Sequence, residues 1–134
     1  MAKQEKALAN EALQRLAERL SEQAAHIREL EKAADEHLHE RGDVSSYKGF
    51  LEEKAQLLSG LPDEAQPYLE KLPGEVKDRV DHRLEAFAHS ALQAMQVDSV
   101  FFMRQLLYPE DYEEGTENDL ERFVRTLRQG EGVS

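Results

Sequence analysis

Apolar residues recur at spacings of three and four through nearly all of the first forty positions. Leu13, Leu16, Leu20, Ile27, Leu30 and Ala34 carry the pattern, with Gln23 and His37 completing the register. This is the period of one face of an α-helix, and no Gly or Pro interrupts it before Gly42. The pattern predicts a helix from about residue 3 to residue 41, which at ~1.5 Å per residue would be ~58 Å long. A compact globule of this chain length has a radius of gyration of only ~14 Å. The chain is therefore expected to form an elongated bundle, or to cover the overhang with a second copy.

Breakers divide the remainder of the chain. Gly42 suits the left-handed conformation that closes a helix, and Asp43 or Ser45 is expected to cap the next one. In that second helix Val44, Tyr47, Phe50, Leu51, Lys54, Leu57 and Leu58 fall at helical spacing, and Ser59-Gly60-Leu61-Pro62 stops it. A short helix is expected over Asp63 to Leu72, with Pro67 in or just after its first turn, where a missing N–H costs little. Pro73 and Gly74 open a second long helix, expected from Glu75 to Tyr108 and ended by Pro109. After an acidic connector, Glu110 to Gly115, Thr116 with Asp119 resembles a capping box. A last helix then presents Leu120, Phe123, Val124 and Leu127. The predicted fold is all-α and spans residues 1–134 as one domain. It is an elongated bundle of two long antiparallel helices, a broken third rod over residues 44–72 and a short C-terminal helix.

The second long helix changes character along its length. Up to Ser90 it is amphipathic, but from Ala91 to Tyr108 it is apolar on almost every side. A helix that is hydrophobic all round is buried all round, and one small subunit offers too little cover for it. This predicts a homo-oligomer, most simply a two-fold dimer. Leu92, Met95, Phe101, Phe102, Met103, Leu106 and Leu107 are the expected interface residues. Asp98 stands inside the same stretch and is expected to pair with a residue of another helix or subunit, or to face a wet crevice. Gln23 and His37, polar positions on an apolar seam, are expected to fix register or to bond a nearby carbonyl.

Composition narrows the partners. With 28 acidic and 17 basic residues in 134 the formal net charge is -11. Phosphate binding needs a basic patch, so nucleic acid is an unexpected partner, and an anionic membrane surface is disfavoured on the same ground. No stretch approaches the ~18 apolar residues that span a bilayer. The first residues lack the apolar segment of a signal peptide, which leaves a cytoplasmic location as the expectation. The chain has no cysteine, hence no disulfide framework, thiolate metal site or thiol nucleophile.

The best metal-ligand constellation is His82, Glu85 and His89, which share one helical face. If the two long helices run antiparallel, His39 or His37 of the first could join them. The same face also reads as the solvated side of an amphipathic helix, laced with Arg79 and Arg83. Glu36-x-x-His39 has the spacing that di-iron bundles use, but such sites need two copies and further glutamates, and only one copy is present. Glu40/Asp43 and Glu75/Asp78 are spaced to share magnesium, yet both pairs sit at helix ends, where acids serve the macrodipole. Gly-rich phosphate loops and nucleophile motifs are absent. The sequence thus favours a non-catalytic cytoplasmic interaction or scaffold protein that self-associates. The alternative is a metal-binding bundle or metal-dependent hydrolase, with a divalent metal held by His82, Glu85, His89 and His39.

Overall fold

A computed structural model describes the backbone of residues 2–129 and the side chains from Lys6 onward. The described residues form six helices: α1 (Ala2–Arg41), α2 (Val44–Ser59), α3 (Leu61–Leu69), α4 (Gly74–Gln96), α5 (Val100–Gln105) and α6 (Asp119–Arg128).

Helix α1 runs unbroken because its apolar seam is continuous and nothing in it resists α geometry. Gly42, at φ 61°, closes it with its N–H on the Leu38 carbonyl at 3.0 Å. Asp43 then caps α2, its carboxylate accepting from the Ser46 N–H at 3.0 Å and from the Ser46 hydroxyl at 2.7 Å. Gly60 separates α2 from α3, and Pro62 stands in the first turn of α3. The short helix begins and ends earlier than its breakers suggest, which places Pro67 in its second turn.

Side-chain contacts fix the directions. Tyr68 and Lys71, at the end of α3, line a groove with Leu8 and Arg15 near the start of α1. At the other end of α1, His37 packs on the Phe50 ring of α2 at 5.0 Å between centroids. Asp98, just past α4, pairs with Lys48 in the first turns of α2. The α2–α3 rod is therefore antiparallel to both long helices, which themselves point the same way. Both pack on α2, the expected broken rod. The end of α1 consequently lies at the far end of the bundle from the beginning of α4.

The core is one continuous cluster. Leu13, Leu16, Leu20 and Ile27 of α1 meet Leu51 and Leu58 of α2, Leu61 and Leu69 of α3 and Leu84 of α4. Gln23 is buried on this seam and donates to both oxygens of Glu64 at 2.9 Å, and Arg19 pairs with the same carboxylate. His37 places Nδ1 2.8 Å from the Ala33 carbonyl. Both polar seam residues thus find partners, one across helices and one locally.

The expected helix to Tyr108 does not form. Helix α4 ends at Gln96, and Asp98 adopts φ 51°. Its N–H donates to the Met95 carbonyl at 3.0 Å, and the Ser99 N–H donates to that of Ala94 at 3.1 Å. These are the two bonds of a Schellman stop, with Asp in the left-handed place that Gly usually takes. Ser99 then caps α5, its hydroxyl accepting from the Phe102 N–H at 3.0 Å. The apolar stretch is an elbow rather than a buried rod. Asp98 pairs with Lys48 of another helix, α2, at 3.0 Å, and it does so on the surface, with 67% of its side chain exposed.

Beyond α5 a strap of residues 106–118 leads to α6, which packs on α1. The capping box that opens α6 is Asn118 with Glu121, not Thr116 with Asp119. The Thr116 hydroxyl instead donates to the Glu113 carbonyl at 2.6 Å.

Candidate functional site

Two features stand out from the bundle. The first is the elbow between α4 and α5. Because the chain turns at Asp98, residues that a straight helix would have carried past each other are gathered at one corner. Val97, Phe101 and Phe102 are exposed there at 62%, 67% and 54%, and the two phenyl rings lie 5.9 Å apart. Beside them runs a groove of about 390 Å³, lined by Ser90, Gln93, Ala94, Gln96, Val97, Phe102 and Leu106. None of these lining side chains carries a charge, in a chain where 34% of residues do.

The expected interface residues divide accordingly. Met103 and Leu107 are buried inside the chain's own core, and Met95 and Leu106 pack partly against it. Those four are therefore satisfied, wholly or largely, within one copy. Phe101, Phe102 and Leu92 remain exposed, and Val97 joins them, a residue the periodicity did not single out.

The second feature is a buried polar network where α1, α2, α5 and the strap meet. Lys54 is wholly buried on the inner stripe of α2 and donates to Glu31 of α1 at 2.8 Å and to the Arg104 carbonyl at 3.0 Å. Glu31 also accepts from the Tyr108 hydroxyl at 2.6 Å and lies 3.6 Å from the Arg104 guanidinium. Arg104 reaches on to Asp35 at 3.2 Å. Arg28, one turn before Glu31, pairs with Glu121 at 2.7 Å and donates to the Tyr108 and Tyr112 hydroxyls and the Thr116 carbonyl. The Tyr108 ring has three cations over it, Lys54 at 5.1 Å and Arg28 and Arg104 each at 5.7 Å. Such contacts are favourable for an aromatic face.

Burial sets the electrostatics here. It pushes the Lys54 ammonium down to about 8, against the opposing pull of Glu31. It also pushes the Tyr108 phenol above its usual range, and the bond to Glu31 adds to that. Glu121 feels the same burial, but Arg28 and the Asn118 N–H outweigh it and hold the carboxyl below its ordinary value. The hydrogen bond to Glu121 raises the Arg28 guanidinium above its ordinary value, against the opposing effect of burial. An open cleft of about 810 Å³ runs over this network between α1 and the strap. Glu31 joins Lys54 to Tyr108 at its base, so the arrangement is suited to fastening α5 and the strap to α1 and α2.

The predicted metal ligands are not brought together. His82, Glu85 and His89 lie exposed on the outer face of α4, and His39 lies exposed near the far end of α1. The parallel course of α1 and α4 removes the geometry by which His39 would have met His82. Among the described residues no three His, Cys, Asp or Glu side chains form a group that could hold a metal ion. No helix among them is long and apolar enough to cross a membrane.

Compared with known proteins, the chain matches no family model, no curated protein and no solved structure.

Proposed function

We propose that this chain is a non-catalytic cytoplasmic interaction protein that self-associates through its α4–α5 elbow, most simply as a dimer. What supports the reading is the exposure of Val97, Phe101 and Phe102 side by side, next to an uncharged groove. Burying a side chain of this kind is worth roughly 1.5–3 kcal/mol, and large apolar side chains are the usual anchors of protein contacts. The acidic remainder of the surface keeps copies apart everywhere else.

Sedimentation across a range of concentrations tests this. The wild-type chain is expected to move from monomer to dimer mass as concentration rises, and Phe102→Asp to stay monomeric while keeping its helical circular dichroism. A folded Phe102→Asp chain that dimerises like the wild type would remove the elbow from the interface.

A further inference from the structure

Helix α6 is joined to the bundle differently from the other helices. It lies antiparallel to α1, with Glu121 at its start on Arg28 and the Arg128 carbonyl at its end accepting from Gln14 at 3.2 Å. Leu120, Val124 and Leu127 are buried on its inner side, and Phe123 meets Phe87 of α4 with ring centroids 6.0 Å apart. The remaining helices hold one another without it: α1 on α2 and α3, α4 on α2 and α3, and α5 on α2 and α4.

The strap is bonded to itself and to α6. The Asp119 N–H donates to the Leu107 carbonyl at 3.0 Å and draws the two ends of the strap together. Between them Tyr112 donates its N–H to the Pro109 carbonyl at 3.0 Å and its hydroxyl to the Thr116 carbonyl at 2.6 Å. The Tyr108 and Tyr112 rings meet edge-on at 4.7 Å, and the Asn118–Glu121 capping box locks the last strap residue to α6. Strap and α6 are one body.

Apart from its apolar seam, that body is held to the bundle by side chains. Arg28 bonds Tyr108, Tyr112, Thr116 and Glu121, Glu31 bonds Tyr108, and cations lie over the Tyr108 ring. When Tyr108 leaves, Glu31 still has Lys54 and Arg104, and Arg28 is already partly in water. Separation therefore strands no buried charge, the outcome that makes breaking such networks costly.

The joint between the two bodies is strained. The Tyr108 N–H donates to the Gln105 carbonyl at 2.9 Å and closes a turn. Its central residues are Leu106, at φ -52° and ψ 134°, and Leu107, at φ 77°. These are the angles of a type II turn, whose second central place is ordinarily glycine's. A leucine there is an outlier, and such conformations persist only where the surroundings impose them. Here burial of the Leu107 side chain does so.

We propose that the strap and α6 form one hinged cover, which lifts off α1 and α4 about the Leu106–Leu107 turn while α1 to α5 stay folded. Opening lets Leu107 leave the left-handed region, so strain in the turn favours release. It uncovers Ala24 of α1 and Phe87 of α4 and frees Arg28. One joint thus controls access to the trough between the two helices.

Native-state hydrogen exchange on the unaltered full chain tests this. A detached helix of ten residues does not keep its hydrogen bonds in water, so each opening exposes every α6 amide. The amides of Arg122 to Arg128 are expected to share one opening constant within about threefold, at least about 100-fold larger than that of the α2 amides. A gradient that falls from Arg128 back to Arg122 would show fraying from one end and overturn the cover. Protection of α6 equal to that of α2 overturns it as well. Leu107→Gly then separates the joint from packing. Glycine adopts φ 77° without strain, so α6 is expected to open at least about threefold less often, while the lost side chain makes the α2 amides exchange faster. If both regions quicken together, Leu107 only fills the core and the hinge is overturned.

Discussion

Lys54 of α2 and Glu31 of α1 meet at 2.8 Å with 0% and 5% of their side chains exposed. Taking two charges out of water costs several kcal/mol per ion even after relaxation. The pair persists because each end is bonded again: Glu31 by Tyr108, and Lys54 by the Arg104 carbonyl. Neither residue can change without stranding the other.

That coupling makes a double-mutant cycle informative. Lys54→Met and Glu31→Met each leave one buried charge short of its partner and are expected to cost about 3–5 kcal/mol. The double variant removes both charges and is expected to lie within about 2 kcal/mol of the wild type, well short of the sum. Urea unfolding of the four chains measures this. Additive losses would mean that the two charges act independently.

The same pair predicts a pH dependence. Lys54 binds its proton more weakly folded, at about 8, than its ordinary value of 10.5. Between those values the unfolded chain holds more protons, so the contribution of Lys54 to stability rises with pH and is lost as pH falls through 8. From pH 8 to pH 10 the gain is about 2 kcal/mol. The raised phenol of Tyr108 acts the other way from about pH 9 upward, where unfolded tyrosine begins to ionise, and takes back only a small part of the gain below pH 10. Urea midpoints are expected to climb over this window in the wild type and to stay flatter in Lys54→Met.

Arg28 ties the strap and α6 to α1, with bonds to Tyr108, Tyr112 and Thr116 of the strap and to Glu121 of α6. Its side chain is 38% exposed, so water screens part of the effect, and Arg28→Met is expected to cost roughly 1–2 kcal/mol. The local signature is stronger than the global one. Amide exchange is expected to quicken across residues 106–118 and α6 while the α1–α2 core keeps its protection. Uniform quickening along the chain would contradict this.

The stop at Asp98 gives the fourth prediction. A residue with a β-carbon in the left-handed region costs about 1–2 kcal/mol unless, like Asp or Asn, it bonds locally. Asp98→Val is therefore expected to lower stability by about that amount. Asp98→Gly trades the exposed pair with Lys48 for a freer backbone and is expected to change stability by less than about 1 kcal/mol. Thermal unfolding of the two variants checks the order.

Which parts of the fold are legible in the sequence depends on which forces are local. The α1 seam, the Gly42 stop and the Asp43 cap are visible because each depends on neighbours within one turn. Asp98-Ser99 is equally local, a helix stop joined to a cap, but the apolar run on both sides of it masks the pair. Asn118 and Glu121 have the same three-residue spacing as Thr116 and Asp119, and Glu121 is the residue that motif prefers at its far end. Lys54 falls on the inner stripe of α2 between Leu51 and Leu58, a visible anomaly with no visible partner. Its bond to Glu31 joins residues 23 apart, and the Arg28–Glu121 pair joins residues 93 apart. Such pairings depend on the packed arrangement of helices, which periodicity along one helix does not encode. The direction of α4 relative to α1 is recoverable by counting turns, since a returning rod between two helices makes them parallel.

The partnership of α1 with α6 bears on how the chain is made. Ser21, Ala24, Ala25 and Arg28 of α1 face Val124, Arg125 and Arg128 across their shared seam. At ~5–20 residues per second a ribosome needs roughly 5–20 s to deliver the second half of that seam after the first. Through that interval the newly made α1 has no C-terminal helix to lie against. Helices α2 and α3 emerge next and can shelter its opposite side, while the side of α1 that faces α6 stays uncovered until residues 119–128 have been made.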